Sequence, residues 1–551
     1  MEGNLTTLPV TEETIRKAEE TLLAYRAAKA PLEARLLENE QWYRLRHWST
    51  MRRNPGDPEP ASAWLLNCIA NKHADAMDNV PEPYVLPREE GDAPDAEALS
   101  AILPVVMELN EYEQVYSDVW WAKLKGGTGV TGVFWNPDGA DGLGDVDIRK
   151  VELLRLYWEP GVSRLQSSRN VFHVESVPNE TLIDRWPFLK GRLNGSALTD
   201  SALPASAQTG ERSVVVDWYY KRRCGGRTVV HYAKFVCGNL LYASENDERY
   251  RLRGYYDHGL YPFVFDTQFV EPDSPAGFGY IDVCKQPQMY IDRLNQVILK
   301  GALMAARPRF FIRSDGSINE QEYADWTRDF VHFQGGSSPQ ESIKQIDVRG
   351  PDAVLVRILS DKIEELKETS GNRDFSQGSA ASGVTAAGAI MALQDAGGKL
   401  SRDMLKSSYR AFTKVCELCV ELIRQFYDEP RCFRILGEAA SIRYIRYDNA
   451  RIRPRVEDGL YRKPAFDIKI RPQRSAPMVM SARNEMAREF YRMGFFDPAN
   501  AEQALGCLEM MEFEGKPQMI ELLRRRRGAL VPAAENKGLT LRAGSDAAGM
   551  V

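Results

Sequence analysis

Gly371-Asn-Arg-Asp-Phe-Ser-Gln-Gly-Ser-Ala-Ala-Ser-Gly383 is a loop of small and polar residues, and its setting decides the fold. Upstream, Ile281 to Ala306 reads as a helix, Arg307 to Pro351 as a compact insertion, and Asp352 to Ser370 as a second helix. Downstream, Thr385 to Tyr427 is one helical pattern, about 65 Å long at the usual helical rise. Gly397-Gly398 sits inside it and predicts a kink. Within the loop, Gly371, Gly378 and Gly383 permit unusual dihedrals. Asn372, Gln377, Ser379 and Ser382 are polar, while Arg373 and Asp374 nearly cancel in charge. A plain flexible connector has the same composition. It does not account for a position between two long helices.

The second helix is amphipathic in an unusual way. Leu355, Leu359, Ile363 and Leu366 recur at spacings of three and four, so one face packs. The rest carries Asp352, Asp361, Glu364, Glu365 and Glu368 against Arg357, Lys362 and Lys367, and is acidic overall. A solvated surface helix with i,i+4 pairs explains those charges equally well. The paired helices around an insertion favour a more specific use.

Composition bounds that use. At 551 residues the chain should divide into several modules. Hydrophobic content of 43% and charged content of 27% are those of an ordinary soluble protein. A net charge of −6 argues against a surface that grips phosphates, which needs clustered Lys and Arg. DNA, as a partner, would be passed along rather than held. No apolar run reaches the roughly 20 residues that span a bilayer, and Met1-Glu-Gly-Asn-Leu5 has no signal pattern. The expectation is folding in a cytoplasm, with the eight cysteines reduced.

The remaining segments alternate helix and strand periods, giving an α+β chain. Thr11 to Asn39 reads as a helix with a capping residue and acids in its first turn. Trp42, Tyr43 and Trp48 form an aromatic cluster after it. Ala61 to Met77 is a second helix, Pro81-Glu-Pro83 and Pro87 to Pro94 are loops, and Asp95 to Leu124 is a helical block with a break near Pro104. Gly129 to Trp135 and Asp145 to Arg149 read as strands around the turn Asn136-Pro-Asp-Gly139. Ser213 to Tyr220 and Thr228 to Val236 pair across Arg223-Cys-Gly-Gly-Arg227. Asn194 to Arg212 is a surface insertion. Phe433 to Ile470 returns to strands, and Ser481 to Arg527 is helical with interruptions at Gly494 and Gly515. Gly528 to Val551 is a loose tail.

Chemical motifs are few. Cys416-Glu-Leu-Cys419 has CxxC spacing, but it lies among Val415, Val420, Leu422 and Ile423, where cysteine acts as a small buried hydrophobe. No G-x-x-x-x-G-K-[ST] pattern occurs, and the six histidines show no metal-ligand spacing. Asp138, Asp141, Asp145 and Asp147 match no calcium loop. No catalytic residue, metal or cofactor is expected. Arg524, Arg525, Arg526 and Arg527 end the last helix, either as DNA contacts or as charges favoured at a helix C-terminus.

Four stretches, in order, carry a resemblance: Trp120 to Asn136; Tyr261-Pro-Phe263 with Pro275-Ala-Gly-Phe-Gly-Tyr280; Gln288-Met-Tyr-Ile-Asp-Arg-Leu-Asn295; and Gly378 to Gly388 followed by Ala389-Ile-Met-Ala-Leu393. With them the chain resembles the bacteriophage portal protein family. The resemblance implies a wing over 1–280, stem helices at 281–306 and 352–371, a clip at 307–351 and a tunnel loop at 372–385. It further implies a wing continuation over 386–475, a crown over 476–527 and a tail over 528–551. It implies a ring, usually of twelve copies, at one capsid vertex, through which double-stranded DNA is packaged and ejected. The implied partners are terminase, scaffolding and major capsid proteins, and neck adaptors. On that resemblance Asn372, Arg373, Gln377, Gly378, Ser379, Ser382 and Gly383 meet the channel. Asp361, Glu364, Glu365 and Glu368 face it from the stem. Asn319, Glu320, Glu322, Asp325 and Arg328 dock terminase, on an expected helix from Asn319 to Asp329. Two other classes stay open: a virion adaptor ring without a channel, and a packaging ATPase or nuclease, which the missing phosphate loop disfavours.

Overall fold

The computed structural model describes residues 9–51, 54–193, 200, 211–306, 309–312, 319–325, 330, 332, 343–346, 352–371, 399–436, 442–457, 460–474, 486–495, 501–510, 519–520 and 523. They are mixed helix and sheet, in two units divided after Gln473.

In the first unit, α1 (Glu12–Tyr43) runs past the expected end at Asn39 and includes Trp42 and Tyr43. Its last turn has tertiary partners. The buried Asn39 amide donates to Lys125 O and Asp282 Oδ1, and Trp42 stacks on His47 at 4.2 Å between centroids. α2 (Trp64–Met77) follows. Pro81-Glu-Pro83, read as loop, lies in β1 (Asn79–Pro87), which pairs with β16 (Phe466–Arg474) in a sheet of two strands. A strand with one neighbour has a free edge, where a missing amide proton breaks no ladder bond.

The helical block expected from Asp95 is two helices, α3 (Ala93–Leu109) and α4 (Tyr112–Gly126). Pro104 is exposed within α3 and does not break it. The break falls at Glu111, at φ 48°. There the Asn110 side chain donates to Val106 O and Val146 O and accepts from Ile148 N, which ties the corner to the next strands.

Those strands are β2 (Thr128–Asn136) and β3 (Asp145–Val151), with β9 (Phe263–Thr267) on the other side of β2. Between them in sequence, β4 (Leu156–Trp158), β5 (Asn170–Pro178), β6 (Arg212–Cys224), β7 (Arg227–Val236) and β8 (Asn239–Ala243) form a five-stranded sheet in chain order. α5 (Asn179–Arg185) follows β5. The β6–β7 turn places Gly225 at φ 55° and Gly226 at φ 84°, the two positive values a two-residue hairpin turn requires. Asp200 corrects the reading of 194–212 as surface: it is buried, 3.0 Å from the Arg155 guanidinium. Residues 194–199 and 201–210 lie outside the described residues.

α6 (Tyr280–Ala306), β10 (Arg309–Ile312), α7 (Glu320–Ala324), β11 (Ile343–Ile346) and α8 (Ala353–Ser370) follow. β10 and β11 pair antiparallel. Then come α9 (Lys399–Phe426) and the antiparallel pairs β12 (Arg431–Leu436) with β13 (Ile442–Tyr447) and β14 (Arg455–Glu457) with β15 (Leu460–Arg462). The expected start of the long helix at Thr385 and its kink at Gly397-Gly398 lie outside the described residues. The main core forms where α3, α4 and α9 meet the β3-β2-β9 sheet, with Leu103, Trp120, Leu124, Ile148, Phe412 and Ile423 buried. In the second unit, a helix at 486–492 ends at Gly494 (φ 73°), and α10 (Ala501–Met510) follows. Phe490, Ala504, Leu508 and Leu523 make its core.

Candidate functional site

α6 and α8 pack side by side as the two arms of a helical hairpin. The ends of α8 fall where its sequence puts them. Asp352 caps it, its Oδ1 accepting from Val354 N at 3.2 Å. Gly371 ends it at φ 66°, its N–H donating to Glu368 O and Lys367 O. A left-handed glycine after the last turn satisfies carbonyls that would otherwise stay unpaired.

The two faces of α8 are sharply different. Leu359, Ile363 and Leu366 pack on Trp64 and Cys68 of α2 and on Ile291 of α6, with Leu366 fully buried. Asp361, Glu364, Glu365 and Glu368 are all exposed. At about 100° per residue these four span about 100° of the helix circumference, centred roughly opposite the leucines. Lys362 pairs with Glu365 at 2.5 Å and Lys367 with Glu364 at 3.5 Å. Such surface pairs contribute little, about 0–1 kcal/mol each, and the stripe stays acidic.

The first half of α6 is anchored by buried polar groups. Fully buried Asp292 accepts from Ser62 N (3.0 Å), Ser62 Oγ and Gln288 Nε2, with His47 Nε2 at 3.0 Å. Gln296 donates to Pro58 O at 2.9 Å. Past Gln296 the hairpin changes character: Val297, Leu299 and Leu303 on α6 and Val354, Val356 and Ile358 on α8 are exposed. Leu359 and Ile363 find partners within the chain, on α2 and α6. Val297 is 53% exposed.

Asn372, Arg373, Gln377, Gly378, Ser379, Ser382 and Gly383 lie outside the described residues, as do Arg328 and Arg524 to Arg527. Asn319 caps α7, its side chain accepting from Glu322 N at 3.4 Å. The helix expected to reach Asp329 ends at Ala324, and Asp325 is extended at φ −86°, ψ 93°. An isolated helix this short gains too few hydrogen bonds to propagate. Glu320 is its first residue. The Glu322 carboxylate accepts from His332 N at 2.9 Å and lies 2.8 Å from His332 Nδ1.

Two buried polar clusters were not foreseen. One is the Asp292 group. The other joins α4, β9 and α9: the fully buried Lys123 ammonium donates to Asp266 Oδ1 (2.7 Å) and Ser408 Oγ (2.8 Å), and Ser408 donates to Asp266 Oδ2. The only hint in sequence is Gln288 and Asp292 at i,i+4 on the packing side of α6.

The remaining motifs are structural where they are described. Cys416 and Cys419 are fully buried, and burial pushes both thiols up, so they stay neutral and unreactive. Asp145 accepts from the Tyr427 hydroxyl, and Arg431 holds the same turn by donating to Gly144 O and Leu143 O. Among the described residues no group of His, Cys, Asp and Glu could hold a metal, and no helix is long and apolar enough to cross a membrane. No curated protein matches the chain. The family model of phage P22-like portal proteins matches residues 73–259 and 227–540.

Proposed function

This chain belongs to the phage P22-like portal protein family, and from that premise we propose that its copies close a ring whose α6–α8 hairpins line a passage for double-stranded DNA. The family is structural rather than catalytic, and membership supports the reading of the chain as a capsid component whose copies form a ring and meet the packaging machinery. The observation that supports the passage is the division of α8 into a packed leucine face and an exposed acidic face.

The physics of a passage fits that division. Each phosphate neutralised by a cation adds to affinity and would slow a moving duplex. Exposed carboxylates offer phosphates no partner, so the duplex slides without sticking. The apolar residues left exposed beyond Gln296 suit heterologous contacts between neighbouring copies, which close into a ring. On this reading 372–385 meets the DNA as a tunnel loop, 307–351 is the clip that docks terminase and later the neck proteins, and Arg524 to Arg527 touch packaged DNA from the crown. Assembly takes place in the host cytoplasm with scaffolding and major capsid proteins, and the expected copy number is twelve.

Native mass measurement and negative-stain imaging of the purified protein test this together. The expected result is a ring with a central hole wide enough for a duplex. Only monomer at micromolar concentration in the presence of scaffolding protein would refute ring formation. A ring without a hole would instead mark a head-tail adaptor.

A further inference from the structure

A cavity of about 910 Å³ opens on the first unit, away from the α6–α8 hairpin. We propose that it is a docking groove for an extended, acidic segment of a partner protein, which adds a strand to the free edge of β9. Three features specify the occupant.

The first is the edge itself. β9 ends its sheet, and no strand among the described residues pairs with its outer side. Its ladder with β2 has a fixed parity. Val133 N donates to Pro262 O and Gln268 N to Gly127 O, so in this register the bonded pairs are those of Val264 with Thr131 and Asp266 with Gly129. Phe263, Phe265 and Thr267 therefore turn their N–H and C=O groups outward. Among the described residues only Thr267 O has a partner there, the Ser407 hydroxyl at 3.3 Å. Phe263, Phe265 and Thr267 line the cavity. Outward backbone groups along a groove are the element that strand addition uses.

The second is the floor: Leu165, Leu418, Val420, Phe466 and Ile468 line it beside the two phenylalanines. Alternate side chains of an added strand would point onto it. The third is the charge of the walls. Arg88 is neutralised by Asp467 at 2.7 Å. That leaves Arg164, Lys414, Arg424 and Lys463 against Glu417 and Glu421. Glu421 already pairs with both Arg424 and Lys463, and Arg164 and Lys414 are exposed at the rim. Burial, with Lys463 nearby, holds the His258 imidazole neutral by lowering its pKa to about 4. The excess of cations attracts acidic side chains. An apolar floor and carboxylates in the walls make it a poor seat for nucleic acid, which needs unopposed cations.

Fluorescence anisotropy on the assembled protein tests this with short labelled peptides that alternate aliphatic and acidic residues. Three controls separate the terms: the same peptides with lysine for each acid, with alternate backbone amides N-methylated, and the variant Arg164→Glu/Lys414→Glu, whose sites are exposed and should not disturb folding. Saturable binding of an acidic peptide, weakened about tenfold or more by N-methylation and by the variant, is expected. No saturable binding across the panel, or binding that neither change weakens, would overturn it. So would equal binding of the lysine peptides, or a labelled DNA duplex that binds more tightly and is lost in the same variant.

Discussion

Replacing Leu366 by Ala should loosen α8 from the body of the protein while leaving the rest folded. Leu366 has no exposed surface, and its cluster is small: Cys68, Ile291, Trp64, Leu359 and Ile363. Buried Leu→Ala changes cost about 2–5 kcal/mol, the lower values where surroundings can relax. A cluster beside an exposed helix face relaxes easily, so about 2.5 kcal/mol is expected. If α8 opens locally, that cost raises its open population roughly 60-fold, since about 1.4 kcal/mol is a factor of ten. Val356→Ala on the same helix is the control, because Val356 is 50% exposed and should cost about 0.5 kcal/mol or less. Hydrogen exchange resolved over 353–370 reads both. Faster exchange in Leu366→Ala confined to α8 and its contacts supports the embedded-face reading. Equal protection in the two variants would refute it, because the leucine face would then not be what holds the helix.

Gly277→Ala should destabilise the lead into α6, since a Cβ there would run into the Phe269 carbonyl and the Thr267 side chain. A loss of about 2 kcal/mol or more in urea unfolding is expected, and an unchanged midpoint would show that this approach is looser than described. The pH dependence should carry a histidine signature. Burial, with Arg222 nearby, lowers the His231 pKa to about 4, below its unfolded value near 6.5. The unfolded state then binds the proton more tightly, so stability is fully present above about pH 6.5 and falls as pH drops toward 4. His231→Gln should flatten thermal stability over that window by on the order of 1–3 kcal/mol, and an identical pH profile would count against the buried neutral imidazole.

Much of this protein is written in local sequence. The limits of α8 follow from Asp352 and Gly371, whose capping chemistry needs only neighbours along the chain. The β6–β7 hairpin follows from Gly225-Gly226 and flanking alternation, and the packed face of α8 from leucines and isoleucine at helical spacing. Four motifs in order, with an insertion between paired helices, were enough to indicate the family. What tertiary structure decided depends on partners far away in the chain. Pro81-Glu-Pro83 became strand because β16 arrives from nearly four hundred residues on, and only its edge position tolerates proline. The break expected at Pro104 moved to Glu111 because Asn110 bonds to β3. Lys123, Asp266, Ser408 and the Asp292 group are ordinary polar residues in sequence; burial and distant pairing give them their structural weight. The groove beside β9 exists only once β16, α9 and that edge strand are brought together. Local rules set where elements start, stop and turn, because they act within a few residues. Which apolar face finds a partner inside the chain, and which stays open, is a long-range property that no window of sequence contains.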